Sequence, residues 1–428
     1  MDRTVLRSSE NTVRTHSRIS CGRLIYPYLS KKDLINIANY KYDVIDDSPL
    51  SLYVSQPMWN YLVELLPRKL APNVLTVCGF SCFLFTFAYV CCLAQFQLEN
   101  HGEIAGTNWP SRWVWLLLSV STVTYFFLDG MDGKQARRVD YSGPAGELLD
   151  HGLDSLMTIL EPIALITVFN KDKYSIPIHR HLLLCFMIQL TFLLAHWERK
   201  VTSIFYMPWS TDLSHYVLTL LYFFFFLVGS PKVLKLYLIR RINLSLEMAC
   251  EVFAHGFFLF IGIPKTIAHI SQVAKKSGYK RVFISMKHLI SVLTVHVVSV
   301  HWAHCVPELL LTRPRLFIYT EGVTFASYMN VFIVAHLAKH EPPLFVWAQK
   351  LYVLAAVYSM CNPKMNCEIM LLSISITVTV FLLHYIICTT QQICNHLGMA
   401  CFYVQRYSYK STADLQESKH TMVLRSAL

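Results

Sequence analysis

Residues 125–157 read YFFLDGMDGKQARRVDYSGPAGELLDHGLDSLM. The segment is bounded by apolar sequence, yet it places Asp129, Asp132, Asp150 and Asp154 at or just inside the ends of two consecutive apolar helices. Carboxylates at a membrane boundary are costly unless they face a wet cavity, pair with cations or bind metal. Asp129 and Asp132 are three residues apart and Asp150 and Asp154 four apart, so each pair shares one helix face. A helical hairpin that turns those faces together gathers four acids, whose repulsion calls for compensating cations. Hard divalent ions with oxygen ligands answer that need, and phosphate oxygens can complete the shell. Two such ions can stabilise both the attacking and the leaving oxygen of a phosphoryl transfer.

The residues between the acids fit the same chemistry. Gly130, Gly133 and Ala136 line one side of the first element, and Gly146 precedes Asp150 by four positions. Small faces of this kind let a helix or a phosphate approach the backbone closely. Arg137 follows Ala136 and is placed to meet phosphate oxygens through its guanidinium fork. Glu147 and His151 are four apart, within hydrogen-bonding reach on one helix, and a carboxylate-oriented imidazole can serve as general base toward an alcohol. Helix-terminal acids also act as caps and dipole partners, so no single aspartate decides the matter. The concentration of acids, small residues, Arg137 and the Glu/His pair does.

The surrounding chain is built for a bilayer. Of 428 residues, 54% are hydrophobic and 15% charged, against about 25% charged in ordinary soluble domains. Mean hydropathy is +0.40. About ten apolar stretches are each long enough to cross a membrane, at 74–95, 111–128, 152–169, 180–197, 213–229, 249–267, 284–304, 322–338, 343–360 and 369–388. The expected fold class is therefore all-α, a polytopic integral membrane protein, which excludes a water-soluble enzyme or a secreted scaffold. Pro72 and Asn73 are suited to start the first long helix. No cleavable signal peptide is expected, so targeting falls to the first spanning helix.

Thirty-eight Lys plus Arg against 27 Asp plus Glu leave a net charge of +11, but the bases are scattered through short loops. They read as topology signals and membrane-surface contacts, with no nucleic-acid partner expected. A cytoplasmic N-terminus puts Lys134, Arg137, Arg138, Arg199, Lys200, Lys275, Lys276, Lys280, Arg281, Arg406 and Lys410 inside. Lys232, Lys235, Arg240 and Arg241 resist that scheme, and the same loop holds the sequon Asn243-Leu244-Ser245. Most of the thirteen cysteines read as small buried hydrophobes; Cys361 and Cys367 could pair only in a luminal loop. No internal repeat is evident. The expected organisation is a cytoplasmic segment over 1–73 with an interfacial helix, a transmembrane catalytic domain over 74–388, and a cytoplasmic tail over 389–428.

The ordered set Asp129, Asp132, Gly133, Ala136, Arg137, Gly146, Asp150 and Asp154 matches, at every fixed spacing, the signature of the CDP-alcohol phosphotransferases. These membrane enzymes move a phospho-alcohol from a CDP-activated donor to an acceptor hydroxyl. Trp59, Asn60 and Ala71 to Asn73, with GKQARR (133–138) and GELLDHGLDS (146–155), resemble the eukaryotic branch that joins CDP-choline or CDP-ethanolamine to diacylglycerol. SPLSLYV (48–54), HWE (196–198) and MPWSTDLS (207–214) are similar to its ethanolamine-specific members. The resemblance implies two Mg2+ or Mn2+ ions held by Asp129, Asp132, Asp150 and Asp154. It implies a CDP-binding surface that includes Asn73, Gly133, Ala136, Arg137 and Gly146, and a base formed by His151 with Glu147. The implied partners are CDP-ethanolamine or CDP-choline, diacylglycerol and membrane lipids, with a homodimer surface open to the later helices. The implied location is an endoplasmic reticulum or Golgi membrane, with the site facing the cytoplasm.

Three other readings stay open on sequence. Choline or dual headgroup use differs only in donor preference. A transporter would use intramembrane acids as an ion path and would show paired broken helices in its two halves; one acidic hairpin is present and no counterpart. A noncatalytic scaffold descended from the enzyme would not need a complete signature.

Overall fold

Proline, serine and glycine punctuation cuts the apolar sequence into helices, and the computed structural model describes residues 26–41, 43–101, 111–169, 177–229, 237–239, 244–362 and 366–404. The N-terminal part holds α1 (Lys31–Ala38), capped by Ser30, the two-residue strand β1 (Val44–Ile45), and α2 (Gln56–Glu64) behind a wide helical turn at Ser51–Ser55. Then follow α3 (Pro72–His101), α4 (Arg112–Arg138), α5 (Pro144–Phe169), α6 (Ile178–Thr202), β2 (Phe205–Tyr206) and α7 (Ser210–Val228). Strands β3 (Tyr237–Ile239) and β4 (Leu244–Ser245) form a short antiparallel pair. The second half comprises α8 (Leu246–Phe257), α9 (Ile263–Ser277), α10 (Lys280–Cys305), α11 (Pro307–Thr312), α12 (Pro314–Leu337), α13 (Trp347–Cys361) and α14 (Cys367–Leu397). Strand β1 pairs in parallel with β2, with Val44 opposite Phe205.

Among the described residues, eight helical segments are long and apolar enough to cross a membrane: α3, α4, α5, α6, α7, the continuous α8–α9 rod, α10 and α14. The chain is a multi-pass membrane protein. Eight of the ten expected spans coincide with these. The other two, 322–338 and 343–360, fall on helices α12 and α13. Helix α13 has only 15 residues. Helix α12 is buried on nearly every side and carries Glu321, Asn330 and His336, polar groups that an inner helix can satisfy internally.

Helices α5 and α12 are the packed centre. A Cβ on Gly322 of α12 would lie 2.7 Å from Ile159 of α5, and one on Gly152 of α5 would lie 2.7 Å from Asn330 Oδ1. Only glycine permits that approach. The closeness is used: Asn330 Nδ2 donates to Ser155 Oγ at 3.0 Å, joining the two helices inside an apolar core. Against this pair pack α3, α6 and α14, while α4 packs on α3 and α7.

Two boundaries differ from expectation in a way that matters for the site. Helix α4 runs to Arg138 where a span to 128 was expected, and α5 starts at Pro144 where 152 was expected. The acids therefore sit well inside helices. Hydropathy ends a span at the first charges, whereas the backbone continues through them because neighbouring polar groups accommodate them. Helix α14 likewise runs past 388 to Leu397. Lys232, Lys235, Arg240, Arg241, Asn243, Arg406 and Lys410 lie outside the described residues. No disulfide joins the described cysteines, Cys361 and Cys367 included.

The described N-terminal and C-terminal parts and several basic residues meet at one end of the bundle. Gln392 Nε2 of α14 donates to the Tyr26 carbonyl at 2.6 Å, so the described N-terminal and C-terminal parts meet there. Arg138 donates to the carbonyls of Val63 and Leu66, and Arg281 to that of Val201.

Candidate active site

At that same end, α4 and α5 form the acidic hairpin. The turn between them is closed by Tyr141, whose amide donates to the Ala136 carbonyl at 2.8 Å, with Asp140 in the left-handed region at φ 55°. One carboxylate oxygen from each of Asp129, Asp132 and Asp150 falls within 4.8 Å of the other two. Asp132 is buried and accepts from the Thr76 hydroxyl of α3. Asp129 Oδ1 and Asp150 Oδ1 are buried and make no hydrogen bond among the described residues. Three carboxylates this close, one buried and two half-buried, repel one another unless a cation intervenes, and an all-oxygen donor set with orphaned lone pairs suits a hard divalent ion. Asp154 is one turn further along α5, and its Oδ1 accepts from the Tyr125 hydroxyl at 2.5 Å. The three-residue cluster thus forms without it.

The residues assigned to nucleotide binding sit around this cluster. A Cβ on Gly146 would come within 3.2 Å of Asn73 Oδ1, so the missing side chain brings the start of α5 against the start of α3. Asn73 Nδ2 donates to the Cys401 carbonyl at 2.9 Å, which draws in the segment after α14. Arg137 is exposed, and its guanidinium lies 3.6 Å from where a Gly133 Cβ would be. Ala136 is on the same helix, half-buried. The strip from Gly133 to Arg137 therefore offers an open backbone beside an exposed cation.

His151 and Glu147 follow one another along α5 but face different partners. His151 Nε2 lies 3.7 Å from Asp150 Oδ2, and the imidazole is stacked round by His196 and Phe205, with ring centroids 5.0 and 4.9 Å away. Glu147 Oε1 accepts from Arg199 of α6 and from Tyr40 of the N-terminal segment, the latter at 3.5 Å. Tyr40 lies outside the spans; burial, then the nearby Glu147 charge, push its hydroxyl well above the ordinary tyrosine pKa.

Sequence reasoning missed four contributors: Thr76 on Asp132, Tyr125 on Asp154, and Arg199 with Tyr40 on Glu147. Tyr125 precedes Asp129 by four and shares its helix face, a signal present in the spacing. Thr76, Arg199 and Tyr40 come from other elements, and nothing local in the sequence links them to the hairpin.

Comparison with known proteins agrees with this geometry. The family model described as CDP-alcohol phosphatidyltransferase matches residues 69–253, a stretch that includes every acid named above. Ethanolaminephosphotransferase 1 of Homo sapiens is 28% identical over 385 residues, covering 89% of this chain and 96% of the relative. Choline/ethanolaminephosphotransferase 2 of Arabidopsis thaliana is 26% identical over 402 residues, covering 89% and 99%. An uncharacterised CDP-alcohol phosphatidyltransferase class-I family protein of Schizosaccharomyces pombe is 34% identical over 182 residues, covering 42% and 44%. The acidic hairpin lies inside the stretch matched by the family model, and 89% of the chain aligns with relatives named as ethanolaminephosphotransferases, so the chain is similar to the CDP-alcohol phosphotransferase enzymes across both its site and its fold.

Proposed function

We propose that the chain transfers phosphoethanolamine from CDP-ethanolamine to the hydroxyl of diacylglycerol, giving phosphatidylethanolamine and CMP. The observation that carries this reading is the convergence of Asp129, Asp132 and Asp150 with two buried, unpartnered oxygens. Asp154 is assigned to the same ligand set. Two divalent ions, Mg2+ or Mn2+, supply charge neutralisation for the pyrophosphate and the departing CMP. Arg137 binds phosphate oxygens from the open side, while Gly133, Ala136, Gly146 and Asn73 shape the CDP surface.

His151 takes the proton of the acceptor hydroxyl, whose oxygen forms the new bond to the phosphorus that bears ethanolamine. The bond from that phosphorus to the oxygen of CMP breaks, and no covalent enzyme intermediate is needed. Phe205 and His196 keep water from the imidazole. Glu147 sets the polarity around that base. Diacylglycerol reaches the site sideways from the bilayer. The gathering of basic residues at this end supports a cytoplasmic orientation by the positive-inside rule. Exposed Leu52, Tyr53, Tyr61 and Leu65 on and around α2 support an interfacial role for the N-terminal segment. An endoplasmic reticulum or Golgi membrane fits this chemistry.

Similarity to a protein named ethanolaminephosphotransferase supports the ethanolamine headgroup, and similarity to the choline/ethanolamine enzyme keeps dual use as the second reading. The test is CMP and phospholipid formation by the purified chain in nanodiscs with diacylglycerol and Mg2+, with CDP-ethanolamine and CDP-choline supplied separately and together. Preference for the ethanolamine donor is expected. Equal use establishes the dual reading, and no turnover with either donor overturns the proposal.

A further inference from the structure

We propose that Arg199 is a positioning residue for the transfer: from α6 it clamps the Glu147 carboxylate beside the base. The inference rests on the Glu147–His151 assignment above.

Glu147 stands one turn before Asp150, and its side chain is only 6% exposed. A carboxylate buried next to other acids protonates or swings away unless a cation holds it. Arg199, with a side chain 2% exposed, is that cation. Its Nη2 donates both to Glu147 Oε1 and to the Tyr40 hydroxyl, which itself sits 3.5 Å from the same carboxylate oxygen. The guanidinium carbon lies 5.5 Å from the centre of the Tyr40 ring and 5.4 Å from that of Phe205. Phe205 is also the ring against His151, so one aromatic wall backs both the clamp and the base.

The direction of Arg199 is fixed by its neighbours on α6. Trp197 Nε1 donates to Ser285 of α10 at 3.0 Å, and Glu198 is held by Thr266 and His269 of α9 at 2.8 and 2.5 Å. Lys200 pairs with Glu341 at 3.1 Å. Each of these contacts leaves the helix on a side other than that of α5, while His196, one turn earlier, faces His151. Arg199 is thereby left pointing at Glu147 with little rotational freedom, and a planar fork loses less entropy on binding than a flexible ammonium does. Through Tyr40 the same clamp ties the segment before β1 to the site.

The test compares wild type with R199K, R199Q, E147Q and the double variant E147Q/R199Q, full-length in nanodiscs, by kcat and by KM for CDP-ethanolamine. R199Q is expected to lower kcat on the order of a hundredfold, as a misplaced reactive group does, with donor KM unchanged. R199K restores part of the loss, since charge returns without the fork. The double variant is no slower than E147Q, because a residue that acts through another adds nothing once that partner is gone. R199Q turning over at the wild-type rate, or losses that multiply in the double variant, overturn the clamp. If R199Q does not fold, R199K and the double variant decide in the same way: R199K at the wild-type rate, or a double variant slower than E147Q, overturns it. A slow E147Q beside a normal R199Q refutes Arg199 alone, whereas E147Q and H151A at wild-type rates refute the underlying base assignment.

Discussion

Two buried acidic sites in this bundle have opposite hydrogen-bond accounts. Deep between α6, α10 and α12, Glu321 is fully buried, yet both its oxygens are satisfied, Oε1 by His296 Nδ1 at 3.0 Å and Oε2 by Gln189 Nε2 at 3.0 Å. At the polar end of α4 and α5, Asp129 and Asp150 each keep a buried oxygen with no hydrogen bond among the described residues. Both sites hold buried carboxylate oxygens, although the Asp150 side chain stays 24% exposed where that of Glu321 is wholly covered. The difference lies in completeness: a satisfied acid joins helices, whereas the unsatisfied oxygens of the cluster are able to coordinate a metal ion.

The largest effect expected from this contrast is at the cluster. D150N should lower turnover by at least about a thousandfold, the loss of several kcal/mol of charge stabilisation, while thermal unfolding in detergent stays near wild type or rises as repulsion falls. Next is His151, where H151A should reduce kcat by roughly a hundredfold to ten-thousandfold with little change in donor KM, read from initial rates at saturating diacylglycerol. Near-normal turnover by H151A would remove it as the base.

Glu321 should answer the other way. E321A leaves His296 and Gln189 unpaired in the core and should cost about 3 kcal/mol, seen as a lower unfolding midpoint, with kcat per folded molecule close to wild type. A catalytic defect without a stability loss would erase the distinction between the two sites.

Glu341 sharpens the comparison from the surface. It lies in the loop after α12, half-exposed, among Lys200, Lys287 and His288. Partial burial works against its ionisation, but hydrogen bonds and charge from Lys200, then Lys287 and His288, hold its pKa down to about 2 from an ordinary 4.5. A carboxylate with a folded-state pKa below its unfolded value stabilises the protein above the unfolded value. That contribution fades as pH falls from 4.5 toward about 2. E341Q should therefore cost under about 1 kcal/mol near neutrality, solvent screening being strong here, and the difference should vanish in acid.

The membrane class and the acidic hairpin were legible because both are local: hydropathy repeats over each span, and the acids are fixed by short helical spacings. Asn73 lies beside Gly146, and the Arg137 guanidinium lies near Gly133. What escaped reading depends on tertiary contacts. The stretch 322–338 was expected as a span and is part of helix α12, but its place at the centre of the bundle, with Glu321 and Asn330 paired inside, comes only from its neighbours. Arg199 reads as a loop charge of the positive-inside kind, but the end of α6 turns it inward to Glu147. Glu147 was expected to hydrogen-bond His151 one turn along α5, but its Oε1 accepts instead from Arg199 of α6 and from Tyr40, which precedes it by more than a hundred residues.

The most direct measurement follows CMP release from CDP-ethanolamine against Mg2+ concentration for wild type, D150N and E321Q, each normalised to folded protein. Wild type and E321Q should show saturable, chelator-sensitive turnover at similar rates, and D150N should show almost none at any Mg2+ concentration. Turnover by D150N at the wild-type rate, or wild-type turnover that survives complete chelation of divalent ions, would contradict the assignment of the α4–α5 carboxylates as the phosphotransfer site.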